Sequence, residues 1–468
     1  MSDLKLYNTL SLSKESFVAI NAPEVGLYTC GPTVYNYAHL GNLRTYIFED
    51  LLKRALTYNG FKVQHVMNIT DVGHLTGDMD MGEDKLELGA RREGKTAWEI
   101  AEFYTEAFKK DLQALNIIEP TIWCKATDNI SEQIYLISTL EAKGFTYNTT
   151  DGVYFDTSKV AEYNKLSHLP LEDLKEGARV EKNQDKKNPT DFALWKFSSP
   201  AGIDKTENSQ RQMEWESPWG TGFPGWHLEC SAMSLKYLSG MLDIHCGGID
   251  HINIHHTNEI AQSESATGTK FFNYWLHGAF LNIAGGKKMA KSADNFLTID
   301  NALLKKNISP LVYRYACLAV HYRKPMEYSD EVMVGATNAL EHLYHQVTDL
   351  GLDQSEVNAE FRDKFLAVIN DDLNLPQALA IVQELLKSTL SPSEKLATVL
   401  DFDKVLGLGL DTLVTIPQEV IDLATSRRQA KLDKDWARAD ELRGYIEAKG
   451  YLIKDQAGDN FSLIAKGK

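Results

Sequence analysis

Four side chains of the types that bind zinc are candidates for a single metal site. His255 and Glu259 are four residues apart, so on a helix they lie on one face, although such a pair is more often solvated than metal-bound. Cys230 lies on or near the preceding predicted helix, and Cys30 closes the first predicted strand. In a two-halved parallel sheet these four could converge as a Cys₂-His-Glu set that suits zinc. Spacing alone does not establish that convergence, because 200 positions separate the two cysteines.

A second kind of chemistry is indicated by the segment that follows Cys30. An apolar strand predicted at Val25–Tyr28 is broken by Gly31-Pro32, and apolar residues at helical spacing predict a helix over Leu43–Tyr58. The free N–H groups and positive dipole of a helix N-terminus favour an anion such as phosphate. His39 can donate a ring N–H to a phosphate oxygen, and Gly41 allows a nucleotide close to the backbone. Taken alone, the same pattern is more often an ordinary turn.

A glycine-led basic loop at residues 285–292 is the third candidate. It carries two cationic side chains, Lys288 and Lys291, of a type that can bind phosphate. The alternative is a solvated basic turn, which such a sequence forms more often than not when it stands alone.

The elements that would position these groups are those of a parallel sheet in two halves. A second strand at Lys62–Ile69 completes a βαβ unit. A mixed segment then separates it from a second half that begins near Pro224, and from about Ser309 the pattern is helical. The elements predicted in the second half are helices Trp226–Tyr237 and Ile254–Ala266, strands Leu242–His245 and Phe272–Ile283, and a tight turn at Gly247-Gly248.

Composition limits the class of protein. The 468 residues are 43% hydrophobic and 24% charged, which is ordinary for a globular chain of about three domains. There is no apolar leader and no run of about 18 apolar residues, so we expect neither secretion nor a membrane span. Five cysteines are a small and odd number, which argues against a disulfide framework. They predict a reducing, cytoplasmic location.

The distribution of charge predicts where RNA would bind. A net charge of −16 disfavours indiscriminate nucleic-acid binding, but residues 427–468 carry ten Lys/Arg against seven Asp/Glu. Arg427, Arg428 and Lys431 cluster there, with Trp436 close by. A charge run of this kind is as often an ordinary solvated face.

These motifs, in this order, resemble those of one family. His39-Leu40-Gly41-Asn42 is similar to a HIGH motif, and Lys288-Met289-Ala290-Lys291-Ser292 to a KMSKS motif. The segments 225–233 and 255–259 match two further family segments. Over essentially its whole length the chain resembles the cysteinyl-tRNA synthetases, which are class I aminoacyl-tRNA synthetases.

The resemblance implies a role for each motif. It implies zinc bound by Cys30, Cys230, His255 and Glu259, and Mg²⁺ that arrives with ATP. It also implies activation of cysteine by ATP to cysteinyl-adenylate and pyrophosphate, then transfer to the 3′ end of tRNA(Cys). The residues implied around the amino acid are Thr70, Trp226, His245 and Asp250; those around ATP are His39, Gly41, Asn42, Lys288 and Lys291; those on tRNA are Arg427, Arg428, Lys431 and Trp436.

The resemblance also implies a domain plan. We expect an α/β fold with a class I Rossmann-type parallel sheet split by an insertion and followed by helical C-terminal domains, in a monomer. The expected parts are a first catalytic half (1–120), an insertion (121–214), a second catalytic half (215–300), a helical stem-contact region (301–350), a helical bundle (351–410) and an anticodon-binding domain (411–468).

Four residues depart from the family pattern, and two rival functions remain open. Asn42 lacks an imidazole, Ala290 lacks a hydroxyl, Cys246 replaces a glycine, and Phe223 stands where arginine is common. One rival is a cysteine ligase that acts on a small amine, as in the mycothiol pathway, which should lack the C-terminal tail. The other is a non-catalytic RNA-binding relative, which should have lost the lysines or the zinc ligands.

Overall fold

The computed structural model describes residues 3–72, 84–170, 185–198, 211–283, 287–288, 296–455 and 461–465. The chain divides into two compact units. The larger comprises residues 3–307 and 322–327, and the smaller comprises residues 308–321 and 328–468. Within the described part of the chain, every helix is too short or too polar to cross a bilayer.

The elements of the larger unit alternate between strands and helices. Its strands are β1 Lys5–Asn8, β2 Ser13–Ser16, β3 Glu24–Thr29, β4 Lys62–Ile69, β5 Ile122–Lys125, β6 Thr146–Asn148, β7 Gly152–Phe155, β8 Phe192–Phe197, β9 Gly222–Pro224, β10 Ile244–Gly248, β11 Tyr274–Gly278, β12 Leu281–Ile283 and β13 Lys287–Lys288. Its helices are α1 Leu40–Tyr58, α2 Lys85–Glu93, α3 Ala97–Ala114, α4 Ile130–Ala142, α5 Trp226–Tyr237, α6 His255–Thr267 and α7 Ile299–Ala302.

A five-stranded parallel sheet in the order β11-β10-β3-β4-β5 forms the centre of this unit. Leu27 of β3 pairs with Ile244 of β10 on one side and with His65 of β4 on the other. The chain order therefore reverses between β3 and β10. A reversal of this kind opens a crevice outside the carboxyl ends of the strands, where ligands bind. The predicted Rossmann-type sheet is confirmed.

The insertion forms a four-stranded antiparallel sheet in the order β6-β7-β8-β9. Its buried core, which includes Phe155, Phe192 and Trp195, is continuous with Leu228 of α5 and Ala261 of α6. The two helices that carry three of the candidate metal ligands are thus packed on both sides. The sheets place the ends of the insertion differently from the expected 121–214, because β5 pairs with β4 in the central sheet and β9 pairs with β8 in the insertion.

Two sequence predictions in the second half were wrong. Gly247-Gly248 is not a tight turn but the end of β10, paired with His277 and Gly278 of β11. Glycine is needed at 247 because a Cβ there would lie 2.6 Å from His251 Nδ1 and 2.8 Å from His256 Cε1.

The second error is the single strand predicted at Phe272–Ile283, which is two strands, β11 and β12. The break falls at Ala279 and Phe280, whose carbonyl oxygens each accept a hydrogen bond of 2.6 Å from the Arg44 guanidinium. The Phe280 carbonyl also accepts the Met326 N–H at 3.1 Å, and the Ala279 N–H donates to the Tyr322 carbonyl at 2.8 Å. The chain therefore changes its backbone partners here, and β11 and β12 belong to different sheets.

The smaller unit is mostly helical, as predicted. Its elements are α8 Pro310–Leu318, α9 Asp330–Thr348, α10 Ala359–Ile369, α11 Leu375–Lys387, α12 Pro392–Leu406, α13 Asp411–Val414, α14 Gln418–Leu432 and α15 Trp436–Ala448, with the strands β14 Met326–Tyr328 (which begins in the larger unit), β15 Tyr451–Asp455 and β16 Phe461–Ala465. The hairpin of β15 and β16 is an exception to the helical prediction. It shares a small apolar core with α14 and α15 that includes Val420, Ala424, Ile446 and Leu463.

Candidate active site

The end of β3 places Cys30 at the switch point of the sheet. Its N–H donates to the Cys246 carbonyl at 3.2 Å, which continues the ladder between β3 and β10 by one residue. The next N–H, that of Gly31, donates to Asn68 Oδ1 at 2.8 Å. A Cβ on Gly31 would lie 1.6 Å from the Asn68 carbonyl oxygen, so this close crossing requires glycine. The chain after Cys30 is therefore fixed to the end of β4.

Helices α5 and α6 bring the other three candidate ligands to Cys30. Cys230 lies on α5, while His255 and Glu259 lie one turn apart on α6, and all are buried. Each of the four residues offers one ligand atom, and these atoms lie within 4.8 Å of one another. His255 Nε2 is 2.8 Å from Glu259 Oε1, and Cys30 Sγ is 4.0 Å from the same oxygen. The predicted convergence of the four donors is therefore present in the fold.

A second possible donor group shares two of these residues. It combines Cys30 and Glu259 with His245 and His256. His245 Nε2 lies 2.7 Å from Glu259 Oε2, and His256 lies 3.3 Å from Cys30 Sγ through Nε2 and 2.8 Å from His277 Nε2 through Nδ1. His255 of the first group is partnered in the same way, because its Nδ1 lies 2.9 Å from His227 Nδ1. The position of the cavity separates the two groups. Neither His245 nor His256 lines the adjacent cavity, whereas Cys30, Cys230 and His255 do. The first group is thus the one that a ligand in the cavity can reach.

Charge and burial set the protonation of these donors. Burial would raise the pKa of Glu259, but His245 and His255 outweigh it and lower that pKa to about 2. Burial would lower the pKa of His255, yet Glu259 and Cys230 raise it to about 10. The pKa of Cys230 falls to about 6 despite burial, through hydrogen bonding with Cys30 and the neighbouring His255. Burial, with Cys230 beside it, raises the pKa of Cys30. A buried cation would allow both thiols to ionise, so the donor set fits a metal.

A cavity of about 350 Å³ extends from this group towards the N-terminus of α1. Thr70, Trp226 and Asp250 line it, as the resemblance implied. Trp226 also stacks on His255, with ring centroids 4.2 Å apart. His245 departs from the implied placement, because it lies behind Glu259 instead of on the cavity wall. Its contact with the Glu259 carboxylate makes it a positioning residue for that candidate ligand.

Two residues of the site were missed by sequence reasoning. Asn68 bonds Gly31 through its oxygen and donates to Thr70 Oγ1 at 3.1 Å. The Thr70 hydroxyl in turn donates to Glu229 Oε2 at 2.8 Å, and Glu229 is buried on α5. A polar residue at the end of a strand was a usable signal for Asn68. Glu229 gave no such signal, because only the docking of α5 against β4 brings it there.

The N-terminus of α1 forms the other end of the cavity. His39 is the N-cap, and its Nδ1 accepts the Asn42 N–H at 3.1 Å. In return, the His39 N–H donates to Asn42 Oδ1 at 3.4 Å. Because Nδ1 is an acceptor, the ring proton is on Nε2, the atom that would donate to a phosphate. The cavity at this end is lined by His39, Gly41 and Asn42. Because Asn42 makes both cap hydrogen bonds, it holds His39 in place at the cavity wall.

The other three residues that depart from the family pattern are Cys246, Phe223 and Ala290, and their surroundings differ. Cys246 is fully buried and belongs to neither donor group; the charged neighbour that adds to burial in raising its pKa is Glu49 of α1. Phe223 is covered by the Arg211 guanidinium, whose carbon lies 3.7 Å from the ring centroid. A guanidinium is therefore still present at this place. Ala290 lies outside the described residues.

The basic loop is only partly described. Lys288 ends the short strand β13, where its backbone pairs with Asn282 of β12. Its side chain, together with Lys291, lies outside the described residues. The predicted contacts of both lysines with ATP therefore stay predictions.

The four candidate RNA contacts lie in the smaller unit. Two of them are cations paired with a carboxylate, and the other two are exposed side chains. Arg427 is buried and donates to both carboxylate oxygens of Asp455, at 2.7 and 3.2 Å. Lys431 Nζ lies 2.9 Å from the same carboxylate. These two cations join α14 to β15, so we no longer expect Arg427 to face RNA. Arg428 is exposed on α14, and Trp436 is 60% exposed at the start of α15.

Known proteins resemble the chain in sequence. The family model described as tRNA synthetases class I (C) catalytic domain matches residues 16–338. Cysteine--tRNA ligase 1 of Burkholderia lata is 51% identical, over 97% of this chain and 95% of its own length. The cysteine--tRNA ligase of Treponema denticola is 45% identical, over 97% of this chain and 98% of its own. That of Borreliella burgdorferi is 40% identical, with coverage of 97% and 98%.

Solved structures agree at the level of the fold. Methionyl-tRNA synthetase of Mycobacterium tuberculosis with methionyl-adenylate matches with a TM-score of 0.55 at 16% identity, over 82% of this chain and 90% of that one. The LeuRS-tRNA-LeuAMS ternary complex of Agrobacterium radiobacter matches with a TM-score of 0.58 at 12% identity, over 84% of each chain. The sequence matches span nearly the whole chain, and on that ground the chain belongs to the class I tRNA synthetase family, among the cysteine--tRNA ligases.

Proposed function

We propose that this chain is a cysteine–tRNA ligase that activates cysteine with ATP and transfers it to the 3′ end of tRNA(Cys). The observation that carries the proposal is one cavity with two chemically different ends. At one end are the donors Cys30, Cys230, His255 and Glu259. At the other is the capped N-terminus of α1 with His39. An amino acid held by its thiol at the first end has its carboxylate directed towards phosphates at the second.

The protein's part in activation is to position and neutralise charge. The cysteine carboxylate attacks the α-phosphorus of ATP, and pyrophosphate leaves. Little covalent work is needed from the protein in such a transfer. His39 Nε2 and the N–H groups of the α1 N-terminus bind phosphate oxygens, and Lys288 and Lys291 neutralise the β- and γ-phosphates. Mg²⁺ enters with ATP.

The donor set also explains how cysteine could be told from serine. A pocket that relies on shape separates near-isosteres by only ~10–200-fold. Zinc, when bound by the four donors, supplies a Lewis acid that favours a thiolate over a hydroxyl that stays protonated at neutral pH. Trp226, stacked on His255, and His245, bonded to Glu259, hold two of the ligands in orientation. Second partners of this kind are usual for ligands of metals in proteins.

The C-terminal hairpin and helices supply the proposed RNA contacts. An exposed aromatic ring such as Trp436 suits stacking on unpaired bases, and an exposed cation such as Arg428 suits a phosphate of the RNA backbone. Their presence favours tRNA over the small-amine rival, which should lack this part of the chain. The retained donor group disfavours the non-catalytic relative. We also propose the six-part domain plan, with the insertion sheet running from β6 to β9, a monomer and a cytoplasmic location. Five free, buried thiols support the location.

The metal is tested by a pair of cysteine variants. The purified protein should carry about one zinc per chain. Cys230→Ser should lose it, because one of the two thiolates is removed. Cys246→Ser should keep it, because that equally buried thiol lies outside the donor group. Elemental analysis of both variants decides the matter. Undiminished zinc in Cys230→Ser, or loss confined to Cys246→Ser, would contradict the assignment.

The basic loop is tested by the exchange of pyrophosphate into ATP. Lys291→Ala should slow cysteine-dependent exchange by roughly 10²–10³-fold, the scale expected when one transition-state donor is removed. Cysteine affinity should change little, because the loop is assigned to phosphates. Lys287→Ala, a change in the same loop outside the KMSKS-like motif, is the control. A loss of cysteine affinity equal to the loss of rate, or an equal effect of the control, would give the loop another role.

The RNA assignment is tested by charge reversal. Arg428→Glu should weaken tRNA binding and lower the slope of log affinity against log salt by about one, because each phosphate contact releases counterions. Cysteine-dependent exchange should be unchanged. Lys387→Glu, an exposed cation on α11, is the matched control. If the two variants bind tRNA equally well, the α14 face is an ordinary solvated surface, and the small-amine ligase becomes the favoured function.

A further inference from the structure

An exposed aromatic cluster lies beside the cavity, and none of the steps above uses it. It consists of Tyr37, Phe103 and Tyr104, and we name it the aromatic ledge. Tyr37 is 45% exposed and Phe103 is 44% exposed, while Tyr104 is buried beneath them. The three rings contact one another edge to face, with centroids 5.1 to 6.2 Å apart. Each ring buttresses the next, so the ledge is rigid although its outer face meets solvent.

The ledge is continuous with the cavity. Tyr37 and Tyr104 line the cavity wall, whereas Phe103 does not. Tyr37 comes from the loop before α1, and Phe103 and Tyr104 from α3. The ring of Phe103 therefore extends an apolar surface outward from the cavity rim. A ligand that enters the cavity from the side of Phe103 therefore contacts this apolar surface.

The charges around the ledge favour a polyanion. Lys95 Nζ lies 4.7 Å from the Phe103 ring centroid. The short segment 91–96 carries two arginines and one lysine against one glutamate. The one glutamate, Glu93, pairs with Arg92 at 2.9 Å and with Lys95 at 3.4 Å, and it accepts from the Tyr104 hydroxyl at 3.0 Å. On α3, Glu102 Oε2 lies 2.7 Å from Lys125 Nζ, while the exposed Glu99 accepts from the Thr96 N–H and keeps its charge. Exposed aromatic rings beside cations are the usual platform for unpaired nucleotides.

We propose that the aromatic ledge binds the unpaired 3′ nucleotides of tRNA as they enter the cavity, with a base stacked on Phe103 and a phosphate near Lys95. This inference rests on the proposed function, since transfer requires the tRNA 3′ end to reach the adenylate. The ledge acts only in the transfer of cysteine to tRNA and not in the activation of cysteine by ATP. Phe103 lies outside the cavity wall, so cysteine and ATP do not need it.

The variant Phe103→Ala tests the ledge in the full-length, zinc-loaded protein. It should lower kcat/KM for tRNA in charging by roughly 10-fold, the scale of one lost base–aromatic stack. Cysteine-dependent pyrophosphate exchange should stay at the wild-type rate, which also reports an intact fold. Phe103→Tyr should retain charging because it keeps the ring. Tyr135→Ala removes an aromatic ring that is 74% exposed on α4 and is the matched control.

A binding experiment assigns the contact to the 3′ end. At fixed salt, Phe103→Ala should weaken binding of intact tRNA but leave unchanged the binding of tRNA that lacks its unpaired 3′ nucleotides. Equal weakening of both RNAs would overturn the proposal, as would wild-type charging by Phe103→Ala or a parallel loss of pyrophosphate exchange. If the wild-type protein shows no cysteine-dependent exchange, the proposed function itself fails and the ledge proposal fails with it.

Discussion

The parallel pairing of β3 with β10 is the constraint on which the site depends. It joins the two halves of the sheet, which the insertion separates in sequence. The extra bond from the Cys30 N–H to the Cys246 carbonyl places the first thiol directly beyond the sheet edge. Since β10 leads into α6, the same pairing sets the position of His255 and Glu259. If these two strands slipped by one residue, the side chains would exchange faces and the donor group would be lost.

Glu259 is the buried charge around which the surrounding side chains are arranged. Its two oxygens lie 2.7 Å from His245 and 2.8 Å from His255, and no part of its side chain reaches solvent. A lone buried carboxylate would be strongly destabilising, so it requires such partners. A metal at the donor group would bond to one of these oxygens and leave His245 on the other. His245, which the resemblance assigned to the amino-acid pocket, therefore contacts Glu259 and not the cavity.

Much of the fold could be predicted because its signals are local. The bounds of β4 and α5 agree with the sequence pattern, since each has uniform spacing of apolar residues and a clear end. The errors arose where tertiary contacts overrule local signals. Gly247 and Gly248 looked like a turn but are strand residues, and Gly247 makes room for His251 and His256. The strand from Phe272 is divided where Ala279 and Phe280 bond the distant Arg44, Tyr322 and Met326, and no local pattern could indicate these partners.

The site shows the same division between local and tertiary information. The four metal donors could be predicted as candidates from residue type and from the family resemblance, but their convergence required the sheet topology. Asn68, Glu229 and Asn42 act through hydrogen bonds between elements or within a helix cap, and no local sequence pattern indicates such bonds. Arg427 looked like an RNA contact because of its neighbours in sequence, whereas its nearest partner in space is Asp455.

We propose that a zinc ion at Cys30, Cys230, His255 and Glu259 binds the substrate thiol directly. Zinc K-edge X-ray absorption of the zinc-loaded protein tests it by counting the sulfur neighbours of the metal. We expect two sulfur neighbours in the free enzyme, three after addition of cysteine, and two after addition of serine. A count that stays at two with saturating cysteine would contradict it.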